Sequence, residues 1–294
     1  MLNYTIELCL LIEFSLPVEL RVLILSYELE LLNNCTIKSA IKSHFHTFQK
    51  SVLQYGPIEF WDTSRVTNMS HLFALYKTFN DNITRWDVSN VEDMNNMFYR
   101  AREFNQPIGC WNVSNVRSFD SMFYDARKFN QPIGKWNTSN CINMSEMFNN
   151  AVSYNQNMND WDVSNVTNMS MLFDQAHAYN QPLGKWNVSK VTSMNYMFYR
   201  AVVFNQPLDN WDVSNVNTMY GMFNEAKSFN QSLDTWNMSN VSDISFMFEF
   251  ASSFNQSLIS WKFSKTNVTN YHVFYGTDSF NQDVDNRSWY NRLT

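Results

Sequence analysis

Tryptophan falls at 61, 86, 111, 136, 161, 186, 211, 236 and 261, and every interval is 25 residues. Other residues keep the same beat. Phenylalanine occupies 73, 98, 123, 148, 173, 198, 223 and 248, and alanine occupies 101, 126, 151, 176, 201, 226 and 251. Serine follows each Trp by three, and Asn-Gln recurs at 105, 130, 155, 180, 205, 230 and 255. A fixed period of 20–50 residues marks a stacked array whose units are each too small to close a core alone. Stacking lays identical atoms on identical atoms, so Trp is expected near Trp and Asn near Asn. The Asn of "FNQP" would then satisfy loop backbone groups from coil to coil.

Within a unit the text reads L-x-x-W-x-V-S-x-V-x-x-M-x-x-M-F-x-x-A-x-x-F-N-Q. Trp111 and Val113 alternate with Asn112 and Ser114, which is strand grammar. Val116, Phe119, Met122, Phe123 and Ala126 then follow at threes and fours, which is helix or 3₁₀ grammar. Ser114 stands where an N-cap belongs, and Ser89 with Glu92 forms a capping box. The expected class is an α/β repeat solenoid, with one short parallel strand and one short helix per 25-residue repeat. About nine repeats fill residues 58–294, and residues 1–57 form a small helical head.

The words "FNQPL", "WDVSNV" and "MF-x-x-A" resemble the BspA-like leucine-rich repeats, in their variant of about 25 residues, over about residues 58–288. That resemblance implies a right-handed, leucine-rich-repeat-like coil used for binding, often on microbial surface proteins, with no catalytic residues. Departures fall at the ends: "FNDNI" opens the array at 79–83, and Phe254 to Phe280 is 26 residues, as expected of caps.

The head carries no repeat. Leu16, Leu20, Leu23 and Ile24 share a helical face with Pro17 in its first turn, and Ile37, Ile41 and Phe45 make a second stripe. Leu16-Pro17-x-Glu19-Leu20, followed by Ile24-Leu25-Ser26-Tyr27, resembles the opening of an F-box. Ala40-Ile41-x-Ser43 and Phe45 are similar to its later helix. The resemblance implies a helical bundle docking on a Skp1-type adaptor through Leu16, Pro17, Leu20, Ile24 and Leu25. It also implies a client protein held by the repeats for ubiquitin transfer. F-box heads on such repeats resemble an arrangement in large DNA viruses of protists, which would put the chain in a host cytoplasm.

Chemistry-bearing motifs are scarce. The histidines are 44, 46, 71, 177 and 272; only His44 and His46 are close, and they face different ways on a helix. No metal site, cofactor or catalytic group is expected, because the Ser, Asp and Asn recur in every coil, whereas a reaction needs a group once. A net charge of −6 without a basic face speaks against nucleic acid. Cys9, Cys35, Cys110 and Cys141 form no CxxC and suggest a reducing compartment. The N-terminal apolar run, broken by Glu7 and Glu13, reads neither as a signal peptide nor as a membrane span.

Positions that stay fixed serve the fold, and positions that vary are free for recognition. The residues flanking each Trp give a candidate client strip of Arg85, Asp87, Lys135, Asp160, Asp162, Lys185 and Asp212. Tyr196, Tyr220 and Phe246 occupy slots that hold Ser or Asn elsewhere, a candidate second patch. The expected function is a non-enzymatic F-box-type substrate adaptor in the cytoplasm. The alternative is a surface or adhesion repeat protein whose N-terminal helices only cap the solenoid.

Overall fold

A computed structural model describes residues 31–282. Two helices, α1 (Ile37–His46) and α2 (Phe48–Tyr55), lead into the repeats. The repeats form a solenoid around one continuous buried core running from Leu32 to Val273. Every described Trp of the 25-residue series is buried, and Ala126, Ala151 and Ala176 are wholly so.

Among the described residues, the coils contain neither the expected strand nor the expected α-helix. Parallel pairing is confined to one residue per coil, along Asn68, Asp93, Ser118, Asn143, Asn168, Ser193, Thr218, Asp243 and Thr269. The Trp-x-Val stretch is extended (Trp111 φ −62°, ψ 135°) but does not pair as a strand. The tryptophans tie the coils together by a side-chain bond instead. The Trp111 indole N–H donates to the Ile83 carbonyl, 28 residues earlier, at 3.3 Å, and the same bond recurs at 2.9 Å from Trp186 to Met158.

The helix-like segment is a run of turns. The N–H groups of Phe119, Ser121, Phe123 and Asp125 donate to the carbonyls of Asn143, Ser145, Met147 and Asn149 in the next coil, at 2.7–3.0 Å. The N–H groups of Met122, Tyr124 and Ala126 turn back to the residue three earlier, at 3.0–3.1 Å. This alternation is possible because two residues per coil take the left-handed conformation, as Ser121 (φ 53°) and Asp125 (φ 53°) do. A left-handed residue interrupts helix propagation; its own amide crosses to the neighbouring coil and the next one turns back. Ser114 therefore caps no helix; its N–H donates to Asn112 Oδ1 at 3.2 Å, closing a local turn.

The Asn of the repeated phrase forms the expected ladder. Asn130, Asn155, Asn180 and Asn205 each donate their backbone N–H to the side-chain oxygen of the Asn one coil earlier, at 2.9–3.0 Å. Gln156 and Gln181 add their amides to the same oxygens, both at 3.0 Å. Aromatic rings file through the core in two columns. Phe98, Phe123 and Phe148 are each 5.6 Å from the next, nearly parallel, and Phe123 stacks at 3.9 Å on Phe129 of the second column. A centroid spacing wider than the ~4.8 Å between paired strands means the rings are offset, the arrangement their quadrupoles favour.

The described part of the head covers the first coil. Ile37, Ala40 and Ile41 are buried in the common core, and Phe45 stacks on Tyr76 at 3.8 Å. Asn34 Oδ1 accepts the N–H groups of Thr67 and Asn68 at 2.9 and 3.1 Å. His44 Nε2 lies 2.8 Å from Asp81 Oδ2. Thus α1 seats on the array as a missing coil would. Leu16, Pro17, Leu20, Ile24 and Leu25 lie outside the described residues.

Candidate interaction surface

Equivalent positions of successive coils form columns, and three columns on the turn side carry the variable text. The column of Ser121 also holds Asn96, Glu146, Met171, Tyr196, Gly221, Phe246 and His272, the last offset by the extra residue of the final coil. The column of Tyr124 holds Tyr99, Asn149, Asp174, Tyr199, Asn224, Glu249 and Tyr275. That of Asp125 holds Arg100, Asn150, Gln175, Arg200, Glu225, Phe250 and Gly276. Each of these side chains leaves the backbone next to, or at, a left-handed residue, so the fold turns them away from the core.

The structure brings Tyr196, Tyr220 and Phe246 together. Tyr196 meets Tyr220 edge to face at 5.0 Å, Tyr220 meets Phe246 at 5.2 Å, and Phe246 stacks on His272 at 5.6 Å. Tyr199, missed from sequence alone, joins at 5.4 Å from Tyr196. Tyr275, Phe250 and Tyr271, also missed, extend the aromatic face and are 58%, 42% and 51% exposed. The signal for them was present: aromatic residues stand in columns that elsewhere hold Asn, Asp and Ser. Gly221 makes the run possible, because a Cβ there would lie 2.5 Å from the Tyr196 ring.

The middle of this side is polar. Asp125, nearly buried, takes Arg102 at 2.8 Å and Arg127 at 2.6 Å. Asn149 donates to Asp174 Oδ2 at 3.3 Å, while Oδ1 of each is buried without a hydrogen-bond partner among the described residues. Burial pushes the Asp174 carboxyl up to about 7, and the nearby Glu146 carboxylate adds to the rise. Burial, then the Asp120 charge, raises Glu146 as well.

The candidate strip beside the tryptophans is exposed, but much of it has structural duty. Asp87, Asp162 and Asp212 accept the backbone N–H groups of Ser89, Ser164 and Ser214 at 2.9–3.0 Å. Hydrogen bonds from the Ser164 hydroxyl and N–H lower the Asp162 carboxyl below its usual range. Lys185 pairs with Asp160 at 2.8 Å on open surface, a pair worth little to stability. Arg85 lies 5.1 Å over the Phe60 ring. Lys135 and Asp160 line a shallow groove of about 570 Å³ with Pro107, Cys110, Pro132 and Gln156. Of the acidic members of the strip, Asp87, Asp162 and Asp212 are committed to turns and Asp160 to the Lys185 pair.

Among the described residues, no group of three or more His, Cys, Asp or Glu could hold a metal, and no helix is long and apolar enough to cross a membrane. The three described cysteines are free thiols, and burial pushes that of Cys141 up to about 12.

No curated protein matches the chain. Among solved structures, the crystal structure of a TLR13–ssRNA13 complex is similar at 10% identity with a TM-score of 0.26, over 85% of this chain and 51% of the receptor chain. The chain therefore spans about half the length of that receptor. The family model described as "Mycoplasma protein of unknown function, DUF285" matches residues 39–158, 132–224 and 184–289. With the matches covering nearly all of the repeats, the chain belongs to the DUF285 family.

Proposed function

We propose that this chain is a non-enzymatic recognition protein whose solenoid holds a client protein on the turn side, and that its coils are of the BspA-like, leucine-rich-repeat-like kind. The observation that carries this reading is the division of labour among columns. Fixed residues are buried or tied into ladders, whereas the aromatic run of Tyr196, Tyr199, Tyr220 and Phe246 stands on a side where other coils manage with Ser, Asn or Glu. Aromatic side chains gathered on a surface mark protein interfaces more often than solvated ladders.

The test is affinity capture with the full chain and with a triple variant, Tyr196→Ser, Tyr220→Ser and Phe246→Ser. Ser121 and Ser170 already occupy the equivalent positions elsewhere, so the variant should fold. A client held by the native chain and lost by the folded variant supports the reading. A client retained by both contradicts it.

The head is proposed to link this arm to a Skp1-type adaptor through Leu16, Pro17, Leu20, Ile24 and Leu25, in the cytoplasm of a eukaryotic host. Support comes from the F-box-like words alone. A specific observation favours the narrower reading that the head only caps the array: Ala40 and Ile41, which stand in the later F-box-like segment, are buried against the first coil. Binding of Skp1 by the full chain, abolished by Leu16→Ala with Pro17→Ala, would support the adaptor role. No measurable binding would leave the cap.

A further inference from the structure

Ion pairs between neighbouring coils join opposite charges 25 residues apart: Lys185 with Asp160 at 2.8 Å, Arg200 with Glu225 at 2.7 Å and Lys128 with Glu103 at 2.5 Å. The column one residue past the repeated Ala runs differently. It holds Lys77, Arg102 and Arg127 in three consecutive coils. Backbone bonds fix the register: the Glu103 N–H donates to the Lys77 carbonyl at 3.0 Å, and the Lys128 N–H to the Arg102 carbonyl at 3.1 Å. Later coils place Val152, His177, Val202, Lys227 and Ser252 there. Like charges stacked in register repel, so three in a row call for a counter-charge.

Asp125 supplies part of it. Its Oδ2 accepts from Arg102 Nε at 2.8 Å, and its Oδ1 accepts from Arg127 Nε at 2.6 Å and from Asn150 Nδ2 at 2.8 Å. Arg102 Nη2 also lies 2.8 Å from Oδ2. Two guanidiniums thus stand on the two oxygens of one carboxylate whose side chain is 4% exposed. Nη1 of Arg102 and both Nη of Arg127 find no acceptor among the described residues, and these side chains are 38% and 48% exposed. Lys77 is exposed and makes no ion pair among the described residues. The site is three positive charges against one negative, with free donors on two side chains held by a buried anchor.

We propose that Arg102 and Arg127, with Lys77 one coil before them, bind a phosphomonoester group on a phosphorylated segment of the client protein. The proposal rests on the recognition reading above and names the chemistry of its partner. A phosphomonoester carries about −1.5 to −2 charges at pH 7, which matches the uncompensated charge of the column. Its terminal oxygens suit the planar fork of N–H donors that makes arginine the residue of choice for phosphate. Asp125 is a positioning residue: it holds both guanidiniums before the ligand arrives, so less side-chain freedom is lost on binding. Three cations on a chain of net charge −6 make a spot and not a face. That suits one phosphate group, whereas nucleic acid or an anionic bilayer calls for positive charge spread along a surface.

The experiment is a fluorescence-anisotropy titration of the full chain with a labelled Gly-Ser-Gly-phosphoserine-Gly-Ser-Gly peptide, beside its unphosphorylated counterpart. Saturable binding of the phosphorylated peptide alone is expected, weakening as pH falls below about 6, where the phosphate takes up its second proton. Arg102→Gln and Arg127→Gln should each weaken it by about tenfold, and Lys77→Gln by about threefold. Circular dichroism checks the fold of each, and Lys77→Gln, which removes no ion pair, keeps the test open should an Arg variant unfold. Lys227→Gln, in the same column four coils beyond Arg127, should change nothing. Inorganic phosphate should displace the peptide only in large excess. The assignment is overturned by absent saturable binding, by equal binding of the two peptides, by folded variants at 77, 102 and 127 that all bind normally, or by a Lys227→Gln effect as large as theirs. Displacement by equimolar inorganic phosphate, or tighter capture by phosphatidylcholine vesicles carrying a phosphoinositide, would also overturn it, by giving the site to the free anion or to a membrane. If the phosphopeptide fails while the Tyr196/Tyr220/Phe246 serine variant still loses its client, the recognition surface stands and only its phosphate ligand is wrong.

Discussion

The indole N–H of Trp161 donates to the carbonyl of Ile133, 28 residues earlier, at 3.1 Å. The bond explains why the beat is kept by Trp rather than by another large apolar residue: the ring fills the core while its one donor pairs a carbonyl of the preceding coil. Trp161→Ala should cost about 3–5 kcal/mol through the cavity alone. Trp161→Phe should cost about 0.5–1.5 kcal/mol by removing one of the two hydrogen bonds that the Ile133 carbonyl accepts, the other coming from the Trp136 N–H at 3.0 Å. Urea denaturation of the two variants measures both; equal, negligible losses would place these rings outside the load they are assigned.

Ala176 is wholly buried where the turn run meets the core. Ala176→Leu should overpack the coil and destabilise by about 1–3 kcal/mol. An unchanged melting temperature would show that this part of the coil has room to spare.

Tyr154 and Tyr179 stand in a column otherwise filled by phenylalanine, fully buried, with hydroxyls that have no hydrogen-bond partner among the described residues. Their rings stack 6.1 Å apart. Burial raises both phenols well above their ordinary value. Removing an unpaired buried hydroxyl while keeping the ring should stabilise, by about 1–3 kcal/mol for each of Tyr154→Phe and Tyr179→Phe. A loss of stability in both would reveal a partner for these oxygens.

Asp174 gives a dependence on pH. Its carboxyl is raised from 3.8 to about 7, first by burial. The folded state then holds the proton more tightly than the unfolded state between those values. Stability from this group is full below about pH 4, falls as pH rises towards 7, and levels off above. Asp174→Asn keeps the shape without the charge. Its advantage in melting temperature over the native chain should therefore grow from pH 4 to 7. An advantage constant across that range would mean that the carboxyl ionises normally.

The legible part of the fold was whatever repeats with a side-chain signature. The Trp beat and the Asn ladder are each a fixed residue with a fixed partner one coil away, and the inward Ala is a fixed residue turned back on the Phe of its own coil. The turn run was not legible as such, because threes and fours describe successive three-residue turns as well as a helix. What distinguishes them is left-handed backbone at Ser121 and Asp125, and residues such as Met171, Arg200 and Phe246 at equivalent positions hide it. Asn96 and Gly221 in one column, and Asn150 and Gly276 in the other, were the available hint. Asp87, Asp162 and Asp212 looked like recognition residues because an Asx turn and a free acidic surface leave the same trace in sequence. Tyr196, Tyr220 and Phe246 were legible as exceptions to their columns. Tyr275 was masked by the extra residue that shifts the last coil, whereas Phe250 keeps the 25-residue register and was as legible as Phe246.

The repeated phrase is explained if each coil supplies its successor with hydrogen-bond partners, and one measurement addresses that claim directly. Asn155 Oδ1 accepts from the Asn180 N–H and from Gln181 Nε2, both at 3.0 Å, while the Asn155 N–H donates back to Asn130. Amide hydrogen exchange should be followed by NMR in Asn155→Ala and in Asn155→Asp, which restores an acceptor. In Asn155→Ala, protection should collapse at Asn180, persist at residue 155 itself, and return at Asn180 in Asn155→Asp. Unchanged exchange at Asn180, or loss centred on residue 155, would contradict a ladder that runs from each coil to the next.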